Sequence, residues 1–173
     1  MGKITGPTPV KLFVGMLSQE KSLFYDLAQK LSDIYGKIDF KSPAWPWDHS
    51  EYYEEEMGLG LMRQFIFFDK LISPGDIAEV KIKTDDLEKL YLNDNSGRRI
   101  NLDPGYLDSA KLVLATTKNF SHRIYLNSGI YGEVTLIYSG GDFRSLPYTF
   151  PDYRTETYLE VFRKARGIFK GQI

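Results

Sequence analysis

Between residues 11 and 103 the chain alternates between two hydrophobic periods in one order: strand, helix, strand, strand, helix, strand. That order limits its fold more than any other feature. Residues 11–16 (KLFVGM) form a short apolar run, the pattern of a buried strand. Leu23, Phe24, Leu27, Leu31 and Ile34 then recur on one helical face. Ser18 is a candidate cap, Glu20 suits the electropositive first turn, and Gly36 offers a left-handed stop. Residues 37–41 (KIDFK) alternate as a strand. Two prolines make the start of residues 42–60 a turn, with a helical turn over 52–57. Residues 63–71 (RQFIFFDKL) read as an aromatic-rich strand. Ser73-Pro74 opens a helix whose face is Ile77, Val80, Thr84, Leu87 and Tyr91, running to about Asn93; the competing reading makes AEVKIK a strand.

Further strands are expected near 98–103, 110–117, 121–127 and 131–138, separated by the turn signals DPG, KN and NSG. Gly140-Gly141 turns the chain, and Pro147 and Pro151 keep the next segment irregular. A last helix over 155–169 carries acids early and bases late, as the helix dipole favours. The expected fold is therefore α+β, one domain over residues 1–173 with a flexible lead-in at 1–9. Its sheet is mostly antiparallel, with a ferredoxin-like βαββαβ front half, further antiparallel strands and a C-terminal helix. The last four strands could instead form a second small sheet.

Composition narrows the function classes. A net charge of −1 provides no global attraction to nucleic acid or to an anionic membrane surface, which disfavours a nucleic-acid partner. No cysteine is present, so disulfides and thiolate metal sites are excluded, in keeping with a cytoplasmic protein. No apolar run is long enough to span a membrane. The P-loop, G-x-G-x-x-G, G-x-S-x-G and H-E-x-x-H motifs are all missing, so no cofactor is identified.

Chemistry-bearing groups concentrate in residues 98–138, where Arg99, Asp103, Lys118, His122, Arg123, Tyr125, Glu133 and Thr135 interrupt strand-like runs. An unpaired buried charge is costly, so such groups either face water or converge on a pocket. In HRIYL, Arg123 and Tyr125 share one side, opposite His122; Glu133 and Thr135 share a side of the following strand. Lys118, His122 and Arg123 could hold an anion. His122 is the natural proton carrier, since imidazole titrates near neutrality, with Asp103 or Glu133 orienting it. The competing explanation is cross-strand ion pairing on a wet sheet surface. Asn101 and Asp103, two apart, share a strand face. Lys81, Thr84 and Glu88 form a helical stripe that could line a cleft, although a solvated face is favoured. Asp48, His49, Glu51 and Glu54 to Glu56 make an acidic cluster, read as surface rather than as a metal site.

Several words occur together in order: PWDHSEYYEEEMG, KIKTDDLE, NLDPGYL, LATTKNFSHRIYL, GEVTL and YTFPDYR. With these the chain resembles a prokaryotic family catalogued as domain of unknown function 4416. The resemblance directs attention to Tyr52, Tyr53 and Glu56, to Lys81, Thr84 and Glu88, to Asn101 through Tyr106, to Lys118 with His122 through Tyr125, and to Pro151 through Tyr153. Ser50 and Asp85 stand where the family usually has threonine and asparagine, and His49 matches no family word. Some members carry a GTP-binding label, which no P-loop here supports.

The functional expectation is a protein that binds or acts on a small anionic metabolite, phosphorylated or nucleotide-like. Its catalytic candidates are His122, Asp103 and Glu133. Lys118, Arg123, Tyr125, Asn101, Lys81, Glu88, Tyr53 and Glu56 are its ligand-binding candidates. A non-catalytic interaction module using Trp45, Trp47, Tyr52 and Tyr53 is the alternative.

Overall fold

The computed structural model describes residues 2–49 and 53–173. Its elements run β1 (Lys11–Ser18), α1 (Lys21–Tyr35), β2 (Ile38–Lys41), β3 (Trp45–Pro46), α2 (Glu54–Met57), β4 (Met62–Phe68), α3 (Ile77–Glu88), β5 (Asn101–Leu107), β6 (Lys111–Thr116), β7 (Ile124–Asn127), β8 (Ile130–Ser139), β9 (Asp142–Ser145) and α4 (Glu156–Lys170). Every pairing between these strands is antiparallel, in one sheet of order β2-β4-β1-β5-β6-β8-β7, with β3 on β4 and β9 on β8. The first four strands of that order, joined by α1 and α3, are the ferredoxin-like arrangement. The later strands extend the same sheet; they do not make a second one.

Side chains alternate across the strands, so the central ones feed two cores. Leu12, Val14 and Met16 of β1 join Ile66 and Phe68 beneath α1 and α3. Phe13 of β1 joins Phe65, Phe67 and Leu112 beneath α4, where Tyr158, Phe162 and Phe169 pack. All eight residues of β1 are buried, because it is central and covered on both faces. That is why its sequence reads as a continuous apolar run rather than an alternating one.

Several boundaries differ from the sequence expectation. Ser18 ends β1 instead of capping α1: its hydroxyl accepts from the Glu20 N–H and donates to the Arg99 carbonyl. The helical reading of residues 77–88 holds over the strand reading, but α3 stops at Glu88, and Leu90 and Tyr91 turn back onto the Leu87 and Glu88 carbonyls. Asp103-Pro104-Gly105 is no turn; it runs inside β5. Two short strands, β3 and β9, were not expected. The NSG turn stands as a β7–β8 hairpin, with Ser128 and Gly129 both at positive φ. No helix among the described residues is long and apolar enough to cross a membrane.

Candidate functional site

The site begins where two strands separate. β5 pairs with β6 only through Gly105, Tyr106 and Leu107. At Gly105 the strands are so close that a Cβ would lie 2.4 Å from the Val113 carbonyl oxygen and 2.5 Å from the Phe13 ring. The next residue back is Pro104, which has no N–H to offer a ladder. Leu102, further along, would leave a buried donor and acceptor unmet. Side chains of α3 take both: Glu88 accepts from the Leu102 N–H at 2.5 Å, and the Lys81 ammonium donates to the Leu102 carbonyl at 3.0 Å. The stripe of Lys81, Thr84 and Glu88 is therefore the buried face of α3, not a solvated one. Burial pushes the Glu88 carboxyl up to about 7, against the opposing pull of Lys81 and the Leu102 N–H.

The parted strands open a cleft of about 360 Å³ toward the α4 side. Asp103 lies on one wall, and Leu114 through Lys118 with Glu133 on the other. Trp47, Tyr53, Phe150 and Tyr153 supply aromatic surface. The floor is an ion pair built over Gly15. Arg63 of β4 and Asp103 of β5 flank β1, and the Arg63 guanidinium reaches across to the Asp103 carboxylate at 2.8 Å. Only a residue without a side chain leaves that path open: a Cβ on Gly15 would sit 2.9 Å from the Phe65 ring and 3.2 Å from Arg63 Nη1. Asp152 continues the pair, accepting from the Trp47 indole at 3.0 Å and lying 3.8 Å from Arg63. Burial disfavours charge on both members, but each holds the other ionised. Asp103 stays below the usual carboxylate range because Arg63, Lys81 and Asn101 outweigh its burial.

A polar chain runs outward from Asp103. Asn101 donates to it at 2.8 Å and accepts from Arg98 at 2.7 Å. Arg98 grips both oxygens of Glu56, at 2.7 and 2.8 Å, touches Glu88 at 3.3 Å, and lies over the Tyr53 ring. That hydrogen bonding holds the Glu56 carboxyl below its ordinary value. On the opposite wall Glu133, 1% exposed, accepts from Arg123 at 2.9 Å and meets His122 Nε2 at 3.0 Å. Arg123 also donates to the Lys118 carbonyl.

The structure brings most of the expected residues together. Asp103, Glu133, Lys118, Arg123, Lys81 and Tyr53 line the cleft. Asn101, Glu88 and Glu56 support its wall without lining it. His122 does not line it: the ring stacks on Tyr148 at 4.1 Å and reaches the cleft only through Glu133. Tyr125 is misplaced in the expected set. It stands exposed on the edge strand β7 against Tyr131, away from the cleft. Arg99 pairs with Glu20 elsewhere on the molecule. Of the supposed aromatic surface, Trp47 is buried and Trp45 packs against Phe65 and Tyr158, while Tyr52 lies outside the described residues. Glu51 of the acidic cluster is likewise outside them.

Asp152, within the word Pro151 through Tyr153, lines the cleft, and so do Arg63 and Arg98, to which neither spacing nor resemblance points. Arg63 left one signal, a guanidinium at the head of an apolar strand. Nothing in sequence tells that its partner lies two strands away.

Comparison with curated proteins and with solved structures gives no match. Residues 8–169 of the 173-residue chain match the family described as domain of unknown function DUF4416, and the chain belongs to that family.

Proposed function

We propose that the cleft binds a small anionic metabolite, phosphorylated or nucleotide-like. One observation carries this reading: among the described residues, five cationic side chains (Arg63, Lys81, Arg98, Lys118 and Arg123) line a single cavity with three carboxylates (Asp103, Glu133 and Asp152). The walls between them are aromatic, and the volume falls within the range of small-molecule sites. In this reading Arg123 and Lys118 meet the anion at the β6 side of the cleft. Glu133 orients Arg123, and His122 acts on the cleft through Glu133.

The test is a thermal-shift panel of inorganic phosphate, nucleotides and sugar phosphates on the wild type and on Arg123→Ala. A ligand that binds only the folded state at a hundredfold excess over its Kd stabilises by about 2.7 kcal/mol, a rise of roughly 5 °C or more for a chain this size. That rise is expected for the wild type and is expected to shrink in Arg123→Ala. A panel with no shift, or a shift that Arg123→Ala leaves intact, ends the proposal.

A further inference from the structure

Charge alone leaves the rest of the ligand open, and two polar groups on the inner wall of the same cleft narrow it. Asp103 receives both its hydrogen bonds on one oxygen: Arg63 Nη1 and Asn101 Nδ2 each meet Oδ2 at 2.8 Å. No donor among the described residues meets Oδ1. With a side chain 28% exposed and lining the cavity, Asp103 turns that second oxygen to the interior. Lys81 also lines the cavity, and its ammonium spends two of three protons, on the Leu102 carbonyl and on Asp85. Buried polar groups are nearly always hydrogen-bonded, so open valences on a cavity wall mark where an occupant completes them.

The required occupant is chemically specific. It must donate to a carboxylate oxygen and, close by, accept from an ammonium. A second phosphate there would be repelled by Asp103, and an ammonium would be opposed by Lys81. Neutral hydroxyl groups satisfy both. A cleft of about 360 Å³ also lies near the lower end for ligand sites, which suits one ring and one phosphate better than a nucleotide. We infer that the ligand is a sugar or polyol phosphate, its hydroxyls on Asp103 and Lys81 and its phosphate at Arg123 and Lys118. This inference rests on the anion site proposed above.

Calorimetric titration of the full chain tests it, with inorganic phosphate, AMP, and ribose, glucose and glycerol phosphates as probes. At least one sugar or polyol phosphate is expected to bind about tenfold tighter than inorganic phosphate, the worth of one charge-assisted hydrogen bond. Asp103→Asn and Asp103→Glu are each expected to erase most of that advantage, read as the ratio of the two affinities in the same variant. Asp103→Glu keeps the charge that Arg63 pairs with while displacing the second oxygen, so it carries the test if Asp103→Asn fails to fold. The inference is overturned if inorganic phosphate binds and no sugar or polyol phosphate binds tighter. It is equally overturned if AMP is preferred and both variants leave that preference unchanged. If none of the phosphates binds, the anion site itself fails and takes this inference with it.

Discussion

Gly15 carries more of the site than any residue of obvious chemistry. It lies opposite Asp103 and Phe65 on the central strand, the Arg63 guanidinium passes over it, and that ion pair forms the floor of the cleft. Gly15→Ala should push the Phe65 ring and the Arg63 guanidinium together, an overpacking cost of about 1–3 kcal/mol. Urea unfolding would measure that loss, and anion affinity should fall with it because Arg63 and Asp103 lose their register. A variant as stable as the wild type, binding phosphate equally well, would contradict this account. Asp103 itself was legible, since an acid within a strand-like run asks for a partner. The partner was not, because Arg63 and Asp103 are 40 residues apart.

At the scale of elements, the informative case is α3 against β5. A solvated stripe and a buried polar stripe have the same spacing in sequence. What separates them is the unfinished β5–β6 ladder, which leaves Leu102 in need of a donor and an acceptor. Completing a ladder with a buried carboxylate has a pH signature. Glu88 is pushed up to about 7 from an ordinary value near 4.5, so the folded chain binds this proton more tightly than the unfolded one. Stability from Glu88 is therefore full below the unfolded value and declines as pH rises through about 7. At 1.36 kcal/mol per unit, the decline amounts to at most about 3 kcal/mol. Urea unfolding from pH 5 to 8 should show wild-type stability falling relative to Glu88→Gln, whose amide cannot ionise. Parallel pH profiles for the two proteins would refute the assignment. Asp-Pro-Gly misleads here for a related reason: its turn preference is local, whereas Gly105 is fixed by contact with Phe13 and Val113.

Across the whole molecule, the sheet is closed at one end by a buried lysine. Lys11 is fully buried at the start of β1. Its ammonium reaches Asp39 of β2 at 2.6 Å, the Phe68 carbonyl of β4 at 3.0 Å and Gln172 beyond α4 at 3.0 Å. Gln172 in turn donates to the Asp69 carbonyl at 2.7 Å. Gln172→Ala should cost about 1–3 kcal/mol, since it removes a charge-assisted bond and leaves a buried ammonium short of an acceptor. Hydrogen exchange should then accelerate in the last turn of α4 and in β2 and leave β6 and β8 unchanged. Uniform acceleration would show that Gln172 does not act as a local clasp.

By itself the sequence determined the order of the main elements, the ferredoxin-like front half, the presence of further strands after it, and the neighbourhood in which Asp103, Lys118, Arg123 and Glu133 would be found. Those follow from hydrophobic period and local turn chemistry, which act over a few residues. Only the tertiary structure decided that β5 and β6 part after Gly105 and that α3 turns its polar stripe inward. It alone set Arg63 against Asp103 and left His122 and Tyr125 off the cleft. Each of those outcomes depends on strand register and on contacts between distant segments. A period of two tells which side chains share a face, but not which neighbour they will meet there.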